Sequence, residues 1–246
     1  MNGDAAPAPR RALAVGAHPD DIEFGCGATL ARWARDGCDV QLLVLTDGSK
    51  GTWDADADPG DLATRRRTEQ EQAAAALGAS AVHHLGRVDG ELVDGPSERS
   101  EVCRWIRTVR PDVVLGHDPW KRYRLHPDHR RAGFLTLDAV VAARDPLFFT
   151  DQPVGAHRPG SVLLFEAEEE DHLEPADEES LAAKIAALLE HRSQWRSTMS
   201  IDERAPADER QRQVEAFGGS VRSRMERPGP DGRVRLVEAF KRLDDL

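Results

Sequence analysis

The sequence predicts an α/β fold: a doubly wound, mostly parallel, Rossmann-like sheet with an α/β extension at its C-terminus. Three observations predict it. Short runs that are apolar throughout, rather than at alternate positions, recur along the chain, as strands covered on both faces require. Segments of helical periodicity separate them, and right-handed crossovers then wind successive strands into one sheet. The chain is 246 residues long, enough for one core of this kind.

The elements follow in order. Arg11–Ala17 (RALAVGA) is a buried strand. Ile22–Asp36 carries Ile22, Leu30, Trp33 and Ala34 on a helical stripe, and Gly37 stops it. Val40–Leu45 is the second strand, ending at Thr46-Asp47-Gly48. Leu62–Leu77 is an Ala-rich helix stopped by Gly78, and Ala81–Leu85 is strand-like. Ser97–Arg110 is a helix with Ser97 as N-cap. Asp112–Gly116 is an apolar strand, Pro127–Arg144 a helix with Pro in its first turn, and Ser161–Glu166 a fifth strand. The last third differs: Glu166–Glu179 has nine acids in fourteen residues. Leu181–Trp195 then reads as a helix, and Ala207–Met225 as a helix interrupted at Gly218-Gly219. Val234–Phe240 fits a final strand or a short helix. There is no repeat and no linker, so residues 1–10 are expected to be a flexible tail and residues 11–246 a single domain.

Composition excludes several classes. The net charge of −11 argues against nucleic-acid or anionic-membrane partners. No apolar run approaches the roughly 20 residues that cross a bilayer, and Met1–Arg10 lacks the apolar core of a signal peptide. Cys26, Cys38 and Cys103 form no disulfide framework and suit a reducing cytoplasm.

Two segments carry the chemistry: Ala17-His18-Pro19-Asp20-Asp21 after the first strand, and His126-Pro127-Asp128-His129 after the strand at Asp112–Gly116. A single His-Pro-Asp is usually a turn whose Asp caps the next helix. Two of them, both beyond strand ends, point to one crevice if those strands are neighbours at the switch point. His18 and Asp21 are three apart, on one face of a helical turn, and so are His126 and His129. Imidazole and carboxylate donors suit Zn²⁺ or a similar divalent ion, with a fourth position open to water. Asp20 is then a spare carboxylate for that water's proton, and one of His126 and His129 a spare imidazole.

Other motifs are weaker. Gly25-Cys26-Gly27 lacks the third glycine of a dinucleotide loop. Gly48-Ser49-Lys50-Gly51 reads as a solvated loop near the crevice. Thr64–Gln70 is a mostly solvated helix start, and Asp89-Gly90 a turn. Trp53, Trp120 and Tyr123 could wall a sugar ring, although packing is the default for each.

The motifs A-H-P-D-D, H-P-D-H and a helix ending in H-R-S-Q resemble the PIG-L (LmbE-like) N-acetylglucosamine de-N-acetylase family. The resemblance runs from Arg11 to Gln194, with an echo in Val237–Phe240 (VEAF). It implies His18, Asp21 and His129 as ligands of one Zn²⁺ per chain, or of another divalent metal. It makes Asp20 the general base, places His126 near the oxyanion and leaving amine, and has Asp128 orient His126. It implies Arg66, Asp89 and His172 as substrate contacts, His172 being the best match to a late histidine of some members, whereas His191, in H-R-S-Q, could be structural. The sequence departs from the family in two places: Ile22 follows A-H-P-D-D where many members have Glu, and Arg124 stands two residues before H-P-D-H. A guanidinium there suits an anionic substrate.

The expected function is therefore zinc-dependent hydrolysis of the N-acetyl group of a small amino-sugar conjugate, in the cytoplasm, in a chain that could form homo-oligomers. Two alternatives stand beside it: an amidase for another amide, such as one in a thiol conjugate, and a catalytically silent sugar- or metal-binding protein.

Overall fold

A computed structural model describes residues 7–246. The first six residues of the expected tail lie outside the described ones. Residues 7–10 are held on the domain: Arg10 N–H donates to Asp112 Oδ2 at 2.9 Å, and Ala8 packs against the core.

The first half alternates strictly. It runs β1 (Arg11–Gly16), α1 (Asp21–Arg35), β2 (Asp39–Thr46), α2 (Pro59–Leu77), β3 (Ala81–Arg87), α3 (Pro96–Val109), β4 (Val113–His117), α4 (Pro127–Arg144) and β5 (Ser161–Phe165). The second half holds β6 (His172–Pro175), α5 (Glu178–Glu190), a 3₁₀ turn (Arg192–Gln194), α6 (Trp195–Thr198), α7 (Ala207–Met225), β7 (Glu226–Pro228) and β8 (Val234–Leu243). These strands form one sheet in the order β3-β2-β1-β4-β5-β8-β6, with β7 on β8. β3 to β5 are parallel along this path, and β8 is antiparallel to β5 and β6.

Apolar residues of both parities explain the two-sided cover. Leu13, Val15, Leu43, Val114 and Val162 pack against Val102 and Ile106 of α3 and Leu135 and Ala139 of α4. Ala12, Ala14, Leu42, Leu115 and Leu163 face the other way, onto Leu30, Ala73, Leu77 and Ala187 of α1, α2 and α5. The chain winds outward from β1 in one direction and from β4 in the other, so β1 and β4 flank the switch point. That is the crevice position where ligands bind in such sheets. Gly133 lets α4 close onto it, because a Cβ there would stand 2.6 Å from the His117 backbone oxygen.

Several boundaries differ from the sequence expectation. α2 starts at Pro59, since Asp58 accepts from Gly60 and Asp61 N–H and caps it. α3 is capped by Gly95 with Pro96 at its first position, so Ser97 lies inside the helix. The helix expected over Leu181–Trp195 breaks at His191, where the Ser193 N–H and hydroxyl donate to Glu69 and draw the chain inward. α7 passes unbroken through Gly218-Gly219. The acidic segment is structural in part: Asp171 accepts from Lys241 and from Arg242 N–H, Glu174 accepts from Arg32, and Asp177 caps α5. No helix among the described residues is long and apolar enough to cross a membrane.

Candidate active site

The site forms where β1 and β4 end. His18 leaves β1, and Asp20 caps α1 at φ 98°, a left-handed conformation that is strained for a non-glycine residue. His18 therefore precedes the helix, and it meets Asp21 through a turn rather than along a helical face. The His18 N–H donates to Asp21 Oδ2 at 2.7 Å, and His18 Nδ1 lies 3.1 Å from the same oxygen. His126 caps α4, which puts His129 in its first turn. His129 Nε2 then lies 3.2 Å from His18 Nδ1 and 3.2 Å from Asp21 Oδ1.

Seven of the nine residues named from sequence line one open cleft of about 380 Å³: His18, Asp20, Asp21, Arg66, Asp89, His126 and His129. Asp128 is fully buried behind it. His172 is not brought to the cleft: on β6 its Nε2 lies 2.7 Å from Glu174. The aromatic residues do not gather either. Trp120 packs on Phe134, 5.8 Å between ring centres, while Trp53 and Tyr123 are exposed.

Asp128 departs from its expected partner. Its Oδ2 lies 3.3 Å from His18 Nε2 and accepts from Gly90 N–H at 2.6 Å. It is the Asp128 backbone N–H that reaches His126 Nδ1, at 3.3 Å. That contact leaves His126 its proton on Nε2. Asp89 also faces His18, with Oδ1 3.1 Å from Nε2. His18 thus has carboxylates at both ring nitrogens. Burial pulls its pKa down, but Asp21, Asp128 and Asp89 outweigh it and hold the imidazole well above its ordinary value. A proton there stands in for a cation, and ligation would displace it.

The donor set fits a metal. His18 Nδ1, Asp21 and His129 Nε2 are mutually 3.1–3.2 Å apart, close to the edge of about 3.3 Å expected for ligands 2.0–2.1 Å from a tetrahedral zinc. Overlapping sets of three donors also include His117, His126, Asp89 and Asp128. Among the alternatives, the first triad has the carboxylates of Asp89 and Asp128 behind a ligand ring, the usual outer support of a metal-bound histidine.

Asp20 and Asp21 are driven apart. Burial raises Asp20 to about 6, aided by Asp21 and opposed by Arg66, His191 and His18. Burial also works to raise Asp21, but His129, His117 and His18 outweigh it and hold it well below its ordinary value. Arg66, 3% exposed, donates to Pro19 O, to Gly48 O at 3.1 Å and to Asp20 Oδ2 at 3.3 Å. The Gly48–Gly51 loop is therefore a wrapper for this guanidinium, and a side chain at Gly51 would run into it.

Two groups escaped the sequence reading. His117, 1% exposed at the end of β4, lies 3.3 Å from Asp21 Oδ2 and stacks on His129 at 4.6 Å. A His-Asp pair directly after an apolar strand was the available signal. Gln70 accepts from Asp20 N–H at 3.1 Å and donates to Glu23 at 2.6 Å, so it braces the strained turn. Arg124, read from the sequence as suiting an anionic substrate, is instead engaged by the protein: its Nη1 lies 3.0 Å from His129 Nδ1, and Nη2 pairs with Glu166 at 2.8 Å.

The chain is similar to proteins of known family and fold. The family model of the GlcNAc-PI de-N-acetylases, PIG-L, matches residues 13–140. A diacetylchitobiose deacetylase of Thermococcus kodakarensis is 40% identical over 153 residues, 62% of this chain and 57% of its own. A 1D-myo-inositol 2-acetamido-2-deoxy-alpha-D-glucopyranoside deacetylase of Rhodococcus erythropolis is 32% identical, covering 76% of this chain and 68% of its own. The structure of an N,N'-diacetylchitobiose deacetylase from Pyrococcus horikoshii superposes with a TM-score of 0.82 at 27% identity, over 98% of this chain and 88% of that one. The chain spans a little over half the length of some of the curated relatives it matches. By the matched family model and the extent of these likenesses, the chain belongs to the PIG-L family.

Proposed function

We propose that the chain is a zinc-dependent hydrolase that removes the N-acetyl group from an amino-sugar conjugate of the N-acetylglucosamine type. The convergence of His18, Asp21 and His129, with Asp20 beside them outside the donor triad, carries this reading. The deacetylase relatives support the same class. The nitrogen and oxygen donors favour zinc, one per chain. Three buried, unpaired cysteines support a reducing, cytoplasmic setting.

The ion, when bound, lowers the pKa of water and polarises the acetyl carbonyl. Asp20 accepts the proton of the attacking water, and its pKa near the working range suits a base. Burial and the imidazoles of His18 and His129 keep the pKa of His126 low. His126 therefore serves as a neutral Nε2–H donor to the developing oxyanion. Asp20 then returns its proton to the departing amine, leaving acetate and a free amino group. Asp128 and Asp89 orient His18. Arg66 holds Asp20 and, with Asp89, faces the cleft wall for substrate hydroxyls.

The test is acetate release by the zinc-loaded chain from a panel of N-acetylglucosaminides, with elemental analysis alongside. Acetate release and about one zinc per chain are expected, with zinc lost in His18→Ala and His129→Ala. Cleavage of another amide alone would establish the amidase. Zinc binding without any hydrolysis would leave a binding protein.

A further inference from the structure

We infer that the cleft continues into a second hollow that receives an anionic group, phosphate or carboxylate, carried by the substrate beyond its acetamido sugar. This rests on the deacetylase reading and adds the substrate class to it. The hollow, about 230 Å³, shares Phe24, Glu166 and Arg224 with the catalytic cleft. The two spaces adjoin at these residues. On the opposite side the cleft is walled: Gln194 Nε2–H donates to Gly51 O at 2.8 Å, and the space around Trp53 and Trp195 lies beyond. A conjugate seated at the metal donors therefore extends past Arg224.

The charges of the hollow do not cancel. Its carboxylates are Glu166, Glu170 and Glu238. Glu166 is paired with Arg124 at 2.8 Å and Glu170 with Arg227 at 4.0 Å. Glu238 is spent on Lys184 at 2.6 Å and on the Ala28 and Thr29 N–H groups. Lys121 and Arg224 remain, and neither forms an ion pair among the described residues. In a chain of net charge −11, two free cations lining the hollow, one of them shared with the cleft, form a local attractive field. A neutral sugar has no use for them, whereas an oxyanion accepts from both. Partly exposed pairs of this kind are worth up to about a factor of five each and are screened by salt.

The test uses two N-acetylglucosaminides with aglycones of equal length, one ending in a hydroxyl and one in a phosphate. A third, ending in a carboxylate, separates the two anion types. kcat/KM is measured by acetate release, and Kd for the corresponding amine products by calorimetry. The wild type is expected to favour the anionic member of the pair in both measurements, with the preference shrinking as salt rises. Arg224→Gln and Lys121→Gln should each lower the anionic-to-neutral ratio about fivefold or less. A wild-type ratio near one, or a ratio unchanged in the double variant, overturns the inference. A chain that releases acetate from none overturns the deacetylase reading instead, and the calorimetric ratio still decides the hollow.

Discussion

Asp20 and Asp21 are neighbours in the chain with opposite electrostatics, one raised to about 6 and one held well below the usual carboxylate range. Asp21 faces three imidazoles, whereas Asp20 turns toward Arg66 and the cleft. Asp20→Asn should therefore keep its zinc while kcat falls on the order of 10²–10⁴-fold, the worth of a positioned base. Asp21→Asn should lose zinc affinity. Metal content and kcat of both purified variants decide it, and the reverse pattern would swap the roles. Arg124 makes a second case. A guanidinium only donates, and it lies at His129 Nδ1. Ligation through Nε2 puts the ring proton on Nδ1, so this contact opposes the bound ion. Arg124→Gln, whose amide oxygen accepts from Nδ1–H, is expected to tighten zinc binding about tenfold. Competition with a chromophoric chelator reads the affinity; unchanged or weaker binding would refute the argument. The His-Pro-Asp residues were legible as a cluster because two rare motifs stood beyond strand ends. Their partners were not: the family resemblance implied that Asp128 serves His126, but the α4 turn swings its carboxylate to His18, 110 residues away.

At the scale of elements, α5 shows what decides a boundary. Asp177 accepts from the Ser180 N–H at 2.8 Å while Ser180 Oγ accepts from the Asp177 N–H at 3.0 Å, and Arg35 of α1 donates to the same carboxylate. Asp177→Ala should cost about 1 kcal/mol, the usual worth of a cap. The hydrogen bond from Arg35 leads in lowering the Asp177 pKa below its ordinary 3.8. The carboxylate's contribution is then complete above that ordinary value and is lost as pH falls through the lower folded one. Urea melts of wild type and variant should differ fully at pH 7 and progressively less below about pH 4; a gap that persists or widens in acid refutes the assignment. The buried strands were legible because they are continuous apolar runs. β6 and β7 were not: each is short and carries charge, as in His172-Leu173-Glu174-Pro175, and only pairing with β8 makes them strands.

On the scale of the whole molecule, the question is whether the C-terminal third is an appendage or part of the domain. Periodicity marks its helices but not where its last strand inserts, and β8 lies inside the sheet between β5 and β6. It buries Phe240 completely against the face that holds Leu30 and Leu42. It also brings Glu238 to the Ala28 and Thr29 N–H groups, where α1 is kinked at Cys26. Lys184 is buried against that carboxylate, and stripping one partner from such a pair costs about 3–5 kcal/mol. A domain of this size has about 5–15 kcal/mol of stability in all. Loss of the strand, its aromatic and its carboxylate together should therefore exceed what the rest can bear. The full chain is expected to melt in one transition that moves upward when zinc is added, since the ion binds only the folded state. A chain ending at Met225 should show no cooperative melt and retain no zinc. Two resolved transitions in the full chain, or a truncated chain that folds and keeps its metal, would make the C-terminal third a separate unit. The first-turn helix that carries Asp21 would then stand without the Glu238 brace, and α1's own packing on β1 and α2 would have to hold the site.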